Sequence, residues 1–367
     1  AELDAIEAAV EGLFHELMAE YPDLPLELLT PLAEGGDQLA ARVALRLGLP
    51  IVAVLPMEQA EYEKDFTDAR SLDAFRSLLG QAENIIRLPA APGNGAPPFT
   101  GAARETQYAQ LGVFVSNHCQ VLLALWDGKP GNKLGGTGQV VGFHLTAVMP
   151  GFEADSSPAS LLADNENDLV FHVVCSRDRV DGQPAAGLGV GEAAWFSSRD
   201  GGARTAQLPS DYRAQLERLQ RFARDWCEKE EVVTGNSSGL LGAAPDLPFP
   251  SGSELTDCLF RAADGLAVHY QKRVHRGLRA IHLLAMLMGL EFILYAEFDG
   301  PSYMVLLFLA LFFAGVIIHL VGERHEWHRK YLDYRALAEG LRVQLYWNLA
   351  GVVDSVSVEF AYDNFLQ

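Results

Sequence analysis

The sequence predicts an α/β domain with an open parallel sheet wound on both faces, followed by a helical module that crosses a membrane twice. Three observations carry this reading: strand-length apolar runs alternate with amphipathic helices over the first two hundred residues, two glycine turns join a strand to a helix, and two long apolar runs lie near the C-terminus.

The first helix is marked by Leu3, Ile6, Val10, Leu13, Phe14 and Leu17 at helical spacing. It carries neither the basic n-region nor the apolar h-region of a secretory signal. A doubly wound sheet ordinarily opens on a strand and no initiator Met stands at residue 1, so a strand is expected ahead of it. Residues 26–30 form a short strand, Glu34-Gly35-Gly36-Asp37 a turn, and 38–47 a helix with Asp37 as its N-cap. Residues 50–55 then read as a buried strand of the parallel type. A helix over 71–79, a strand over 84–88 and a Pro/Gly/Ala-rich loop over 89–101 follow. After an amphipathic helix over 105–116, the strand 120–126 ends in Asp127-Gly128-Lys129. A second glycine-rich turn, running from Gly131 through Asn132 to Gly135-Gly136-Thr137-Gly138, leads into a helix over 139–147, and 169–175 is a further strand. The segment 210–231 is a charged helix capped by Ser210, with Leu216, Leu219, Phe222 and Trp226 on one face. This organises the chain as a domain over 1–232, a Gly/Ser/Pro-rich linker over 233–253 and a helical module over 254–367.

Residues 280–298 and 303–321 are each long enough to cross a hydrocarbon core of about 30 Å as a helix. Asp299-Gly300-Pro301-Ser302 is the turn between them. Lys272, Arg273, Arg276 and Arg279 precede the first span and Arg324, Arg329, Lys330 and Arg335 follow the second, which places both chain ends in the cytoplasm. Flanking cytosolic helices are expected over 254–276 and 325–345, with Trp327, Tyr331 and Tyr334 as interfacial aromatics. Glu291 lies near the middle of the first span, where a carboxylate is costly unless it faces protein or water, so it is the candidate pore or helix-interface residue.

A formal net charge of −20 argues against a nucleic-acid partner, because neutralising a phosphate backbone needs clustered Lys and Arg. The four cysteines, Cys119, Cys175, Cys227 and Cys258, form no CxxC pair, and no metal is expected. A small anion is a different matter. Gly35-Gly36-Asp37 and Gly135-Gly136-Thr137 each bring free backbone N–H groups to the start of a helix, the chemistry of a phosphate site. Around them, Arg104 can clamp a phosphate, Tyr108 and Trp126 can stack on a base or sit in the core, and Arg177 ends a strand at the carboxyl edge where α/β ligands bind. Glu34 and Asp127 are either acids of the site or ordinary loop and cap residues.

Pro31-Leu32-Ala33-Glu34-Gly35-Gly36-Asp37 with Ala40, Val43 and Ala44, then Arg104, Gln107 and Tyr108, the run from Leu122 to Asp127-Gly128, and Gly135-Gly136-Thr137 together resemble the SLOG superfamily of Rossmann-like domains. That superfamily includes the LOG-type phosphoribohydrolases and DNA-processing protein A. The resemblance covers about residues 1 to 179 and implies a nucleotide or ADP-ribose-type ligand at these positions. The hydrolases carry a Glu shortly after the Thr, whereas this chain has Gly138, Gln139, Val140 and Val141, which implies binding more than hydrolysis. The C-terminal module resembles, by architecture, the SLATT family of two-span effectors of bacterial conflict systems. The expectation is therefore a homo-oligomeric effector of the bacterial inner membrane, serving antiphage defence, that senses a nucleotide second messenger and permeabilises the lipid bilayer. A membrane-tethered nucleotide hydrolase is the alternative.

Overall fold

The computed structural model describes residues 2–131, 133–152, 168–177, 182–199, 201–242, 249–250, 252–297, 303–352 and 356. Asn132 and the expected turn Asp299-Gly300-Pro301-Ser302 lie outside the described residues, as does part of the expected linker. The chain divides into two compact units, Ala1–Arg221 and Phe222–Gln367.

The first unit is α/β. Its elements are α1 (Glu2–Glu20), β1 (Leu28–Thr30), α2 (Gly36–Arg46), β2 (Ile51–Leu55), a short α3 (Gln59–Tyr62) extended by a 3₁₀ turn (Glu63–Asp65), α4 (Ala69–Leu79), β3 (Asn84–Arg87), α5 (Ala102–Asn117), β4 (Leu122–Trp126), α6 (Thr137–Thr146), β5 (Val170–Val174), β6 (Ala193–Phe196) and the start of α7 (Ser210–Glu228). The strands make two hydrogen-bonded sheets: β1-β2-β3, all parallel, and β4-β5-β6, where β4 and β5 are parallel and β6 is antiparallel. The sheet is thus neither continuous in its hydrogen bonds nor wholly parallel, as the sequence suggested. β6 escaped the reading because Ala193-Ala194-Trp195-Phe196 is too short a run to show a period of its own.

Alternation along the strands explains why both sheet faces are covered. Ile51, Ala53 and Leu55, with Phe171 and Val173, pack in one core with Val10 and Phe14 of α1, Val43 and Ala44 of α2 and Phe75 of α4. Their neighbours Val54, Leu122, Ala124 and Val170 turn the other way, toward Leu111 and Val115 of α5 and Val141 of α6. Each fully buried Leu, Ile or Phe contributes about 1.5–3 kcal/mol, so the period-2 pattern, more than strand propensity, fixes the register.

The second unit is helical: the end of α7, α8 (Glu230–Asn236), α9 (Ser253–Glu297), α10 (Tyr303–Arg324) and α11 (Trp327–Ala350). Two expectations are corrected here. The linker is in part the helix α8, and the flanking helix and first span are one unbroken helix of 45 residues. Nothing interrupts the i→i−4 ladder between them, since Gly277 alone costs only about 1 kcal/mol in a helix. α9 and α10 are long and apolar enough to cross a membrane. α10 buries no residue, and Leu283, Met286, Leu290, Phe292 and Ile293 of α9 stand exposed beside Leu306, Phe313, Ile317 and Leu320 of α10.

Below the apolar band, α9 and α11 are tied by a buried carboxylate. Asp225 accepts from Lys229 (2.6 Å), Lys330 (2.8 Å), Tyr334 (2.6 Å) and Tyr270 (3.0 Å). Burial by itself would raise its pKa, but the hydrogen bonds from Lys229, Lys330 and Tyr334 outweigh it and hold the carboxyl at about 2. A depressed carboxylate contributes stability that is present above its unfolded value of about 3.9 and is lost as pH falls toward the folded one. The midpoint of thermal unfolding in detergent is therefore expected to drop below about pH 4. Asp225→Ala, which strands two lysines, is expected to lose about 3–5 kcal/mol; equal midpoints for variant and parent at pH 7 would count against the cage.

Candidate functional site

The loop after β1 starts α2 at Gly36, with Gly35 as N-cap at φ +94°, a conformation that a side chain adopts only with strain. Asp37 is accordingly not the N-cap that the sequence suggested. It sits inside the first turn, and its carboxylate accepts from Ala33 N at 3.3 Å. Although part of Asp37 reaches solvent, its carboxyl is enclosed by protein, and that burial pushes it up to about 6. Glu34 is exposed.

The two glycine turns come to the same neighbourhood through β4 and α5. A methyl group on Gly36 would stand 3.0 Å from Leu125 Cδ1 of β4, and one on Gly135 would stand 2.6 Å from Ala109 N and from the Tyr108 carbonyl carbon of α5. Gly135 is thus required by the close approach of backbone, whereas at Gly36 the Leu125 side chain would have to give by a few tenths of an ångström. Tyr62 completes the link: its ring lies 6.3 Å from that of Tyr108, its hydroxyl donates to Pro31 O at 3.2 Å, and burial, reinforced by the charges of Asp37 and Asp65, raises its pKa. Gly35, Gly36, Asp37, Tyr108 and Gly135 therefore share one region beyond the carboxyl ends of β1 and β4. Gly136 caps α6 and Thr137 is its first residue, but the Gly135 N–H donates to Gln139 Oε1 at 3.1 Å and the Gly136 N–H to Lys133 O at 3.0 Å, so an anion at this turn would draw on the Thr137 and Gly138 N–H groups.

Arg104 does not act as a free phosphate clamp. Its guanidinium is bidentate to Asp65 (2.8 Å at Nε and at Nη2), and it also donates to Glu61 Oε1 (2.8 Å), Phe99 O (2.9 Å) and Glu61 O (2.9 Å). Tyr108 donates its hydroxyl to the same Asp65, and Lys64 closes the group on Glu61 at 2.5 Å. Glu61 is held below the usual carboxylate range, first by Lys64 and then by Arg104, and the Arg104 guanidinium is raised chiefly by Asp65. Glu61, Tyr62 and Asp65 were missed in the sequence because their partners lie far along the chain. The spacing of Glu61, Lys64 and Asp65 reads only as a solvated helical turn. With Arg104 already bound by carboxylates, an anion here would be held mainly by backbone N–H groups.

Asp127 and Arg177 form a separate pair at the carboxyl ends of β4 and β5. Arg177 donates through Nη2 at 3.1 Å to an Asp127 that has no exposed surface, and its Nε stands 2.8 Å from the other carboxylate oxygen as an ion pair. Asp127 thereby organises its own turn, accepting from Lys129 N at 3.2 Å, and does not present a free acid. Trp126 likewise serves the turn, donating to Lys129 O at 2.9 Å. Among the described residues no group of three or more His, Cys, Asp or Glu is arranged to hold a metal ion.

Glu291 belongs to the second unit. It is only 7% exposed although Leu290 and Phe292 on either side are 52% and 60% exposed, and its Oε1 has no hydrogen-bond partner among the described residues. A search of family models, curated proteins and solved structures finds nothing that matches the chain.

The Asp37 carboxyl supplies a test of this geometry. Because its folded pKa lies above the unfolded value of about 3.9, the stability it carries is complete below that value and is lost as pH rises through about 6. Asp37→Asn is expected to remove this slope and to unfold at a higher temperature than the parent at pH 7.5. Parallel midpoint profiles for the two proteins between pH 4 and 8 would contradict the enclosure.

Proposed function

We propose that the chain is a sensor–effector of the bacterial inner membrane: a SLOG-like unit binds a nucleotide-derived signal, and a SLATT-like hairpin of α9 and α10, assembled as a homo-oligomer, perturbs the membrane in antiphage defence. The observation that carries this reading is the exposed apolar surface of α9 and α10. A soluble protein seldom exposes so large a contiguous apolar patch, whereas lipid would cover it at no cost. The basic flanks support a topology with both chain ends in the cytoplasm. A two-span hairpin encloses no pore by itself, so a permeabilising output requires several copies.

For the first unit, the proposal takes the two sheets as halves of one Rossmann-like sheet of order β3-β2-β1-β4-β5-β6. The contact of Gly36 with Leu125 and the core shared by β2 and β5 support it. In that order the strand direction of winding switches between β1 and β4, the place where open α/β sheets bind ligands. On this reading the two glycine turns meet at that switch, and an ADP-ribose-type or other nucleotide phosphate would take the N–H groups of the first turn with those of Thr137 and Gly138. The hydrolase alternative is favoured by one feature, the Asp37 carboxyl at about 6 beside that crevice, since an acid or base works best near the operating pH. Neither Glu34 nor Asp127 offers as much.

Detergent-solubilised protein mixed with a panel of nucleotides tests both readings, with thermal shift, light scattering and mass spectrometry of the nucleotides. The sensor reading expects an oligomer, and a ligand that survives intact and, at a hundred times its Kd, stabilises by about 2.7 kcal/mol. A strict monomer with and without every nucleotide would sink it. A nucleotide that is consumed, with turnover lost in Asp37→Asn, would establish the hydrolase instead.

A further inference from the structure

We infer that α9 carries a binding site for the phosphate of an anionic phospholipid headgroup, in a shallow groove lined by His275, Leu278, Arg279 and His282. The inference rests on the membrane reading of α9 and α10. The groove is largely open to its surroundings, with about 410 Å³ of space, and its four residues fall at i, i+3, i+4 and i+7, one face of a single helix. Its position is what selects the ligand. Arg279 is the last cation before the apolar run, Leu278 is 48% exposed and Leu283, just beyond, is 55% exposed. The helix surface therefore turns apolar just beyond the groove, so a phosphate at Arg279 would have its acyl chains run toward Leu283, the order in which a phospholipid passes from headgroup to tail.

The cations around it are available. Residues 272–279 hold Lys272, Arg273, Arg276 and Arg279 and no acidic residue, in a chain whose formal net charge is −20. Lys272 donates to Asn236 at 2.6 Å and Arg273 stands over the Trp327 ring at 5.7 Å. Arg276 and Arg279 are exposed and have no carboxylate partner among the described residues. A guanidinium matches two phosphate oxygens at once, which a point charge does not. His282 Nδ1 is turned onto Leu278 O at 2.7 Å, which fixes the ring and leaves its other nitrogen clear of that bond. Trp327, stacked on His325, is an aromatic of the type found at membrane interfaces. The acidic balance of the rest of the chain disfavours a soluble anion as the main occupant. A membrane surface that presents many phosphates at fixed depth overcomes that repulsion, with each basic residue adding about fivefold to the attraction.

The test is native mass spectrometry of the full chain in neutral detergent, with added phosphatidylglycerol, phosphatidylcholine or inorganic phosphate as separate arms. Retained phosphatidylglycerol is expected to exceed phosphatidylcholine by at least fivefold, to fall about fivefold in Arg279→Gln and further in the Arg276→Gln/Arg279→Gln variant, and to persist in Arg279→Lys in part. Equal retention of the two lipids, an unchanged double variant, or inorganic phosphate bound with no preference between lipids would overturn it. Flotation with phosphatidylcholine vesicles separates the two failures. A chain that does not float fails the membrane reading, and one that floats without preferring phosphatidylglycerol fails only the headgroup site.

Discussion

The second unit depends on one buried charge. Asp225 near the end of α7 gathers Lys229, Tyr270 of α9 and Lys330 and Tyr334 of α11 around two carboxylate oxygens, so that one side chain engages three helices. A carboxylate taken out of water is stabilising only when its lone pairs are filled, and here four donors fill them. α7 has a counterpart at its other end, where Tyr212 donates to Asp168, itself fully buried. A single helix is thus anchored by a buried carboxylate in each unit. If the first unit senses and the second acts, α7 is the covalent element on which any coupling must draw.

Much of this was legible in the sequence where the signal is periodic. The strand at 51–55 was read because five apolar residues in a row fit only a strand covered on both faces, and α1 because its apolar residues recur every three to four positions. The two long apolar helices α9 and α10 were read from the length of their apolar runs. What escaped depends on partners remote in sequence. Arg104 looked like a free cation because Asp65 and Glu61, which bind it, lie 39 and 43 residues away. Asp127 stayed open between an acid and a cap residue because its pairing with Arg177, 50 residues on, leaves no local mark. Gly135 was read as a phosphate contact, yet it is equally a packing residue, since no Cβ fits between it and α5.

The candidate site is consequently short of free cations and rich in backbone donors, a balance that bears on selectivity. The nearby carboxylates do not change that balance, because Glu61 and Asp65 are paired with Lys64 and Arg104 and the Asp37 carboxyl is enclosed. With no free cation to neutralise further charge, such a site would hold one phosphate more readily than a polyphosphate.

The continuity of α9 has a geometric consequence. At about 100° per residue, an unbroken helix from Ser253 to Glu297 locks the azimuth of Glu291 to that of Tyr270 and Asp264 in its lower half. There is no hinge at which the two halves can turn independently. A twist of the Ser253 end about the helix axis would therefore reappear as a change in the direction that the Glu291 carboxyl faces, which on the proposed membrane reading is a direction within the plane of the bilayer.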